Sequence, residues 1–119
     1  FFSAGKGDVG KALDMFIIRF NGKLDPNFLA QWFTSDQVGV WNWQRWANKD
    51  FDALLDQGSS ELDDTKRAAL FVRAQQIMEE SAAFVWLTYD VGIFVHQAWL
   101  KPALLPSGID WALDRFAPA

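Results

Sequence analysis

Cysteine is absent from these 119 residues, which excludes disulfides, thiol catalysis and cysteine-ligated metal. Histidine is reduced to His96, so zinc would have to take three carboxylates, against its ligand preference. Positive charge is also scarce: 11 Lys and Arg stand against 15 Asp and Glu, for a net charge of −4. With a pI near 4.7, the chain lacks the basic footprint of a nucleic-acid binder. It has no apolar run approaching about 18 residues, so a transmembrane helix is not expected. No signal peptide is visible in these residues, and they do not begin with methionine. The chain starts on Phe1-Phe2, as a fragment or a processed chain would. Lack of cysteine suits the cytosol and the periplasm equally.

Aromatic residues, by contrast, are plentiful. Seven Trp and eleven Phe provide more ring surface than a small core needs, which points to an interface or a stacking site as well as a core. The length suits one domain. Leu13 to Phe20 reads as a buried strand, ended by the turn signal Asn21-Gly22. Asp25-Pro26 offers an N-cap and an N1 proline, predicting a helix from about Pro26 to Thr34. Asn48 caps a second helix, with Phe51, Leu54 and Leu55 on one face and Gly58 at its end. The third and longest helix opens at Asp63-Asp64. Its packing stripe is expected to be Leu70, Ala74, Ile77 and Met78, with Phe71 alongside. Phe84 to Tyr89 and Gly92 to Gln97 are two β-rich runs meeting at Asp90-Val91-Gly92. Pro102, Pro106 and Gly108 break the remainder, leaving a short apolar tail around Trp111, Leu113 and Phe116. The sequence contains no internal repeat and no interdomain linker. The expected class is α/β, or α+β for the segment in isolation, with three helices and a few strands.

The stretch GKGDVGKA, residues 5 to 12, matches seven places of a P-loop through Gly5, Gly10 and Lys11. Its eighth place is Ala12, which cannot ligate magnesium, and no buried strand precedes it. The run from Phe84 to Asp90 is only loosely like a Walker B strand. A glycine-rich solvent loop is the better reading. His96 lies in the apolar run IFVHQ, where a structural role is commoner than catalysis. Most aspartates, among them Asp25, Asp50, Asp52, Asp63, Asp64 and Asp90, sit at helix starts or turns, where capping accounts for them. No nucleophile elbow is present, and the chain is not expected to be an enzyme. Trp41, Trp43 and Trp46 alternate with polar residues. They could build a stacking platform or serve as packing.

The order of these motifs resembles the C-terminal part of solute-binding protein family 5, the receptors of peptide- and nickel-type ABC importers. The residues that carry the resemblance are Asp14-Met15, Phe20 and Asp25-Pro26-Asn27-Phe28-Leu29. They continue with Asn42, Trp46 and Asn48 to Leu55, then Asp63, Arg67, Leu70-Phe71 and Ala74 to Met78. Ala82-Ala83 stands where the family usually has a proline. The resemblance implies that residues 1–119 are one C-terminal segment of a two-lobed, type II periplasmic-binding-protein-like fold, the rest of both lobes lying outside the chain. It also implies capture of a peptide-like or other small solute outside the cytoplasmic membrane, by a free or membrane-associated receptor, and delivery to ABC permease subunits. No catalysis and no cofactor are implied.

Ligand contacts would then come from the strand end and turn, Arg19, Phe20, Asn21, Gly22 and Lys23, together with Trp41 and Trp43. In peptide-binding members an aspartate near this turn pairs with the ligand's α-ammonium, whereas here Gly22 or Lys23 takes its place. A lysine would repel that cation, which leaves an anionic or neutral solute open. The alternative is a self-standing Trp-rich module that binds carbohydrate or protein.

Overall fold

The computed structural model describes residues 3–88, 93–106 and 110–119. The chain divides into two compact units, Phe1–Val85 and Trp86–Ala119. Parts of the expected Phe84–Tyr89 and Gly92–Gln97 runs, their Asp90-Val91-Gly92 junction, the Gly108 break and the Phe1-Phe2 start lie outside the described residues. Among the described residues the elements are three α-helices, short 3-10 turns and one pair of antiparallel strands, a small mixed α/β fold of the expected class.

The first unit is helical because its caps and apolar spacings agree. Asp25 accepts a hydrogen bond from the Asn27 amide at 2.8 Å, and Pro26 opens α1 (Pro26–Ala30). A 3-10 turn, Gln31–Phe33, prolongs α1. Asn48 caps α2 (Lys49–Ser60) by accepting from Phe51 N at 3.0 Å. Asp63 caps α3 (Asp64–Glu80) through Lys66 N at 2.9 Å. Phe51, Leu55 and Gly58 are the buried positions of α2, and Phe71, Ala74 and Met78 those of α3. Spacings of three and four place each set on one helix face. These faces meet with Phe33 to form the core, and Phe20, Leu29, Trp46, Ile77 and Phe84 pack around it. Phe51 is fully buried, its ring 4.9 Å from Trp46 and edge-on to it.

Two helix expectations need correction. Gly58 does not end α2, which runs on to Ser60. A Cβ at Gly58 would come within 2.9 Å of the Phe71 ring, so the glycine is there for close helix–helix approach. Leu70 is half-buried on the edge of the α3 stripe, and the core position falls to Phe71.

The strand expectations also change. Leu13–Phe20 is not in a ladder, and neither are the described parts of the runs after Phe84 and Gly92. Strand propensity cannot by itself supply the partner a ladder requires. From Phe16 to Phe20 burial nevertheless alternates residue by residue, with Phe16, Ile18 and Phe20 the more buried. Met15 and Ile17 are 86% and 76% exposed, and Val85, Ile93 and Val95 are exposed as well.

In the second unit, β1 (Leu100–Lys101) pairs antiparallel with β2 (Ala117–Pro118), Leu100 opposite Pro118 and Lys101 opposite Ala117. A single bridge joins Leu104 to Trp111. The Trp111 ring lies 4.7 Å from Phe94 and 5.5 Å from Phe116.

Candidate functional site

The P-loop-like stretch is structural. Gly5 and Gly10 are buried. A Cβ on Gly5 would fall 2.0 Å from the Trp43 indole, and one on Gly10 would fall 2.1 Å from the Gly5 carbonyl oxygen. These glycines therefore let the loop close on a tryptophan, and the 3-10 turn Val9–Ala12 holds the segment. Gly7 N donates to Gly39 O at 2.8 Å, and the Arg45 guanidinium donates to Gly7 O, tying the loop to the segment around Trp41.

That segment is organised around Asn42, which is fully buried. Its Nδ2 lies 2.9 Å from Phe33 O, 3.1 Å from Thr34 O and 2.6 Å from Trp46 O. The two protons of this one side-chain amide thus serve carbonyls of a non-helical turn, among which Thr34 O also accepts from the Gln37 backbone amide at 3.1 Å. The three alternating tryptophans then separate. Trp43 is 3% exposed, with its ring 5.7 Å from Phe16. Trp46 is half-buried against Phe51 and Phe84. Trp41 is 37% exposed and stacks on Trp32, with centroids 5.8 Å apart and planes 27° apart.

Trp32 is the link to the predicted ligand end. It lies 5.4 Å from Phe20 and 5.4 Å from Phe28. Phe20 and Trp41 are thus brought to the same ring. Phe20 is half-buried and also meets Phe33 edge-on, while Arg19, Asn21 and Lys23 are exposed and Gly22 is half-buried. Trp43 packs elsewhere, under the Gly5 loop.

Beside Trp32 and Trp41 opens a cleft of about 720 Å³. Asn27 on α1 and Gln31 at the start of the 3-10 turn that prolongs it form one wall. Thr34 to Gln37 form its rim, and Asp52, Leu55, Asp56 and Ser59, all on one face of α2, form the other wall. The Ser35 amide donates to Asp52 Oδ1 at 3.0 Å, fixing the rim to α2. Hydrogen bonds from the Thr34 hydroxyl and then the Gln37 amide hold the Asp36 carboxyl below its ordinary pKa. The cleft carries three carboxylates and no Lys or Arg.

Of the sequence-predicted site residues, only Trp41 lines this cleft. The signal for the others was present in the spacing of Asp52, Asp56 and Ser59, which share a helix face. Capping, the role expected of Asp52, belongs instead to Asn48. His96 is exposed, its Nδ1 3.0 Å from Gln97 O. Among the described residues no group of three potential ligands could hold a metal ion. None of their helices is long and apolar enough to cross a membrane.

No family model matches the sequence, and no solved structure matches the fold. One similarity to a curated protein stands out. Over 72 residues the chain is 35% identical to heme-binding protein A of Haemophilus influenzae. The match takes in 60% of this chain and spans 13% of the length of that relative. The similarity is to a binding protein, and it fits the solute-receptor resemblance at a coarse level.

Proposed function

We propose that the chain is a C-terminal segment of the substrate-binding component of an ABC importer. It would capture a small solute outside the cytoplasmic membrane, in the periplasm or an equivalent space, and help present it to permease subunits. The similarity to a binding protein more than seven times as long as the matched stretch is the observation that carries this reading. The exposed apolar side chains Met15, Ile17, Ile93 and Val95 support it, since extended segments of this kind gain a ladder and cover when further strands are added. On this reading the chain has no catalytic task. The ligand-contact set comprises Arg19, Phe20, Asn21, Gly22, Lys23 and Trp41. Trp43 acts from beneath by supporting the loop that carries Trp41.

The test is a thermal-shift screen of the polypeptide encoded by the complete open reading frame. The panel holds di- and oligopeptides, amino acids and amines, sugars, metal complexes, and hemin because of the relative's name. A saturable rise in melting temperature for one solute class is expected, because a ligand that binds only the folded state stabilises it by mass action. No stabilisation by any class, together with turnover of one of the compounds, would overturn the reading.

A further inference from the structure

We propose that Asn21 is a site of spontaneous deamidation, in which its side-chain amide cyclises onto the backbone nitrogen of Gly22. This goes beyond the solute-binding reading and does not depend on it. The chain has four asparagines, and only Asn21 precedes a glycine. Glycine lacks the Cβ that would crowd attack by its own backbone nitrogen. Asn21 is exposed, and residues 21–23 belong to no helix, strand or turn. Among the described residues neither the Asn21 side chain nor the Gly22 amide takes part in a hydrogen bond. A Cβ built on Gly22 would meet nothing within 4 Å, so nitrogen and carboxamide can approach without displacing a neighbour.

The other three asparagines are held. Asn27 lies in α1, and the next amide, Phe28 N, donates to Asp25 O at 3.1 Å. Asn42 is fully buried with its Nδ2 bonded, and Trp43 N donates to Trp41 O at 3.0 Å. Asn48 Oδ1 accepts from Phe51 N at 3.0 Å.

In the reaction, hydroxide removes the Gly22 N–H proton and the nitrogen attacks Asn21 Cγ. The new N–Cγ bond closes a succinimide ring, the Cγ–Nδ2 bond breaks, and Nδ2 leaves as ammonia after taking a proton from water. A second water then opens the imide. Cleavage of the Cγ–N bond gives aspartate, and cleavage of the backbone C–N bond gives isoaspartate. Either product puts a carboxylate into residues 19–23, where the charged side chains are Arg19 and Lys23. If those residues contact the solute, the charge presented to it changes as the molecule ages.

The test is peptide mapping of the polypeptide encoded by the complete open reading frame, incubated warm in mildly alkaline buffer, both folded and in urea. In the folded protein, aspartate and isoaspartate should both accumulate at residue 21. Conversion there should be on the order of tenfold faster than at Asn27, Asn42 or Asn48, a barrier difference of about 1.4 kcal/mol. Folding should slow those three, which react only through local opening, and leave Asn21 within about threefold of its rate in urea. Gly22→Ala, whose methyl enters open space, should keep the melting temperature and slow residue 21 about tenfold. Conversion at Asn21 no faster than at the other asparagines would overturn the site. So would suppression by folding as strong as theirs, an unchanged rate in Gly22→Ala, or aspartate without isoaspartate.

Discussion

Arg67 ties together three positions that look unrelated in the sequence. Its Nη2 reaches both Asp25 carboxylate oxygens at 2.9 Å, and its Nε donates to Gly58 O at 2.9 Å. Its guanidinium also lies 4.9 Å from the Phe71 ring centroid. The α1 cap, the late turn of α2 and the core stripe of α3 therefore share one clamp. The Asp25 carboxyl is lowered from its ordinary 3.8, chiefly by the Arg67 hydrogen bond and next by the Asn27 amide. A carboxyl lowered on folding contributes stability that is complete above its unfolded value and lost as pH falls through the folded one. Arg67→Gln should raise the Asp25 pKa in an NMR titration and remove that acid-side loss. Because Asp25 is more than half exposed, its ion pair should contribute about 1 kcal/mol or less after screening. An unmoved Asp25 titration would refute the clamp. Gly58 gives a second test at this scale. Ala is the better helix former, yet Gly58→Ala should lose about 1–3 kcal/mol in urea unfolding, because the new methyl meets the packed Phe71 ring. A stabilised variant would show that the approach of α2 to α3 does not depend on this glycine.

Among the elements, helices were the legible part of the sequence and strands were not. Asp25, Asn48 and Asp63 announce three helix starts, and each accepts the amide hydrogen bond expected of a cap. Caps are local, so a single sequence displays them. The Leu13–Phe20 run has strand composition, but a ladder depends on a partner that local composition does not specify. The cleft was legible only in part. Trp41 could be named, but Asn27 and Asp56 acquire their positions from packing between helices. Close packing also shifted the α3 stripe. Phe71 is 4% exposed and sits in the core, while Leu70 is half-buried beside an outer groove with Leu54 and Leu62. Phe71→Ala should therefore cost about 3–5 kcal/mol, and Leu70→Ala distinctly less, as measured by urea unfolding of both variants. Equal costs, or the reverse order, would contradict this assignment of the helix face.

At the scale of the whole molecule, the account turns on extended segments whose apolar side chains are exposed in this chain. Phe16, Ile18 and Phe20 point one face of their run toward packing, and Met15 and Ile17 leave the other exposed. If the chain is one segment of a larger solute receptor, further strands should take up that backbone and cover those side chains. Hydrogen–deuterium exchange tests this directly, comparing the 119-residue chain with the polypeptide of the complete open reading frame. The account predicts rapid exchange at residues 14–20 and 93–97 in the chain alone and strong protection in the complete polypeptide, with α2 and α3 protected in both. Equally rapid exchange of 14–20 and 93–97 in both would contradict it.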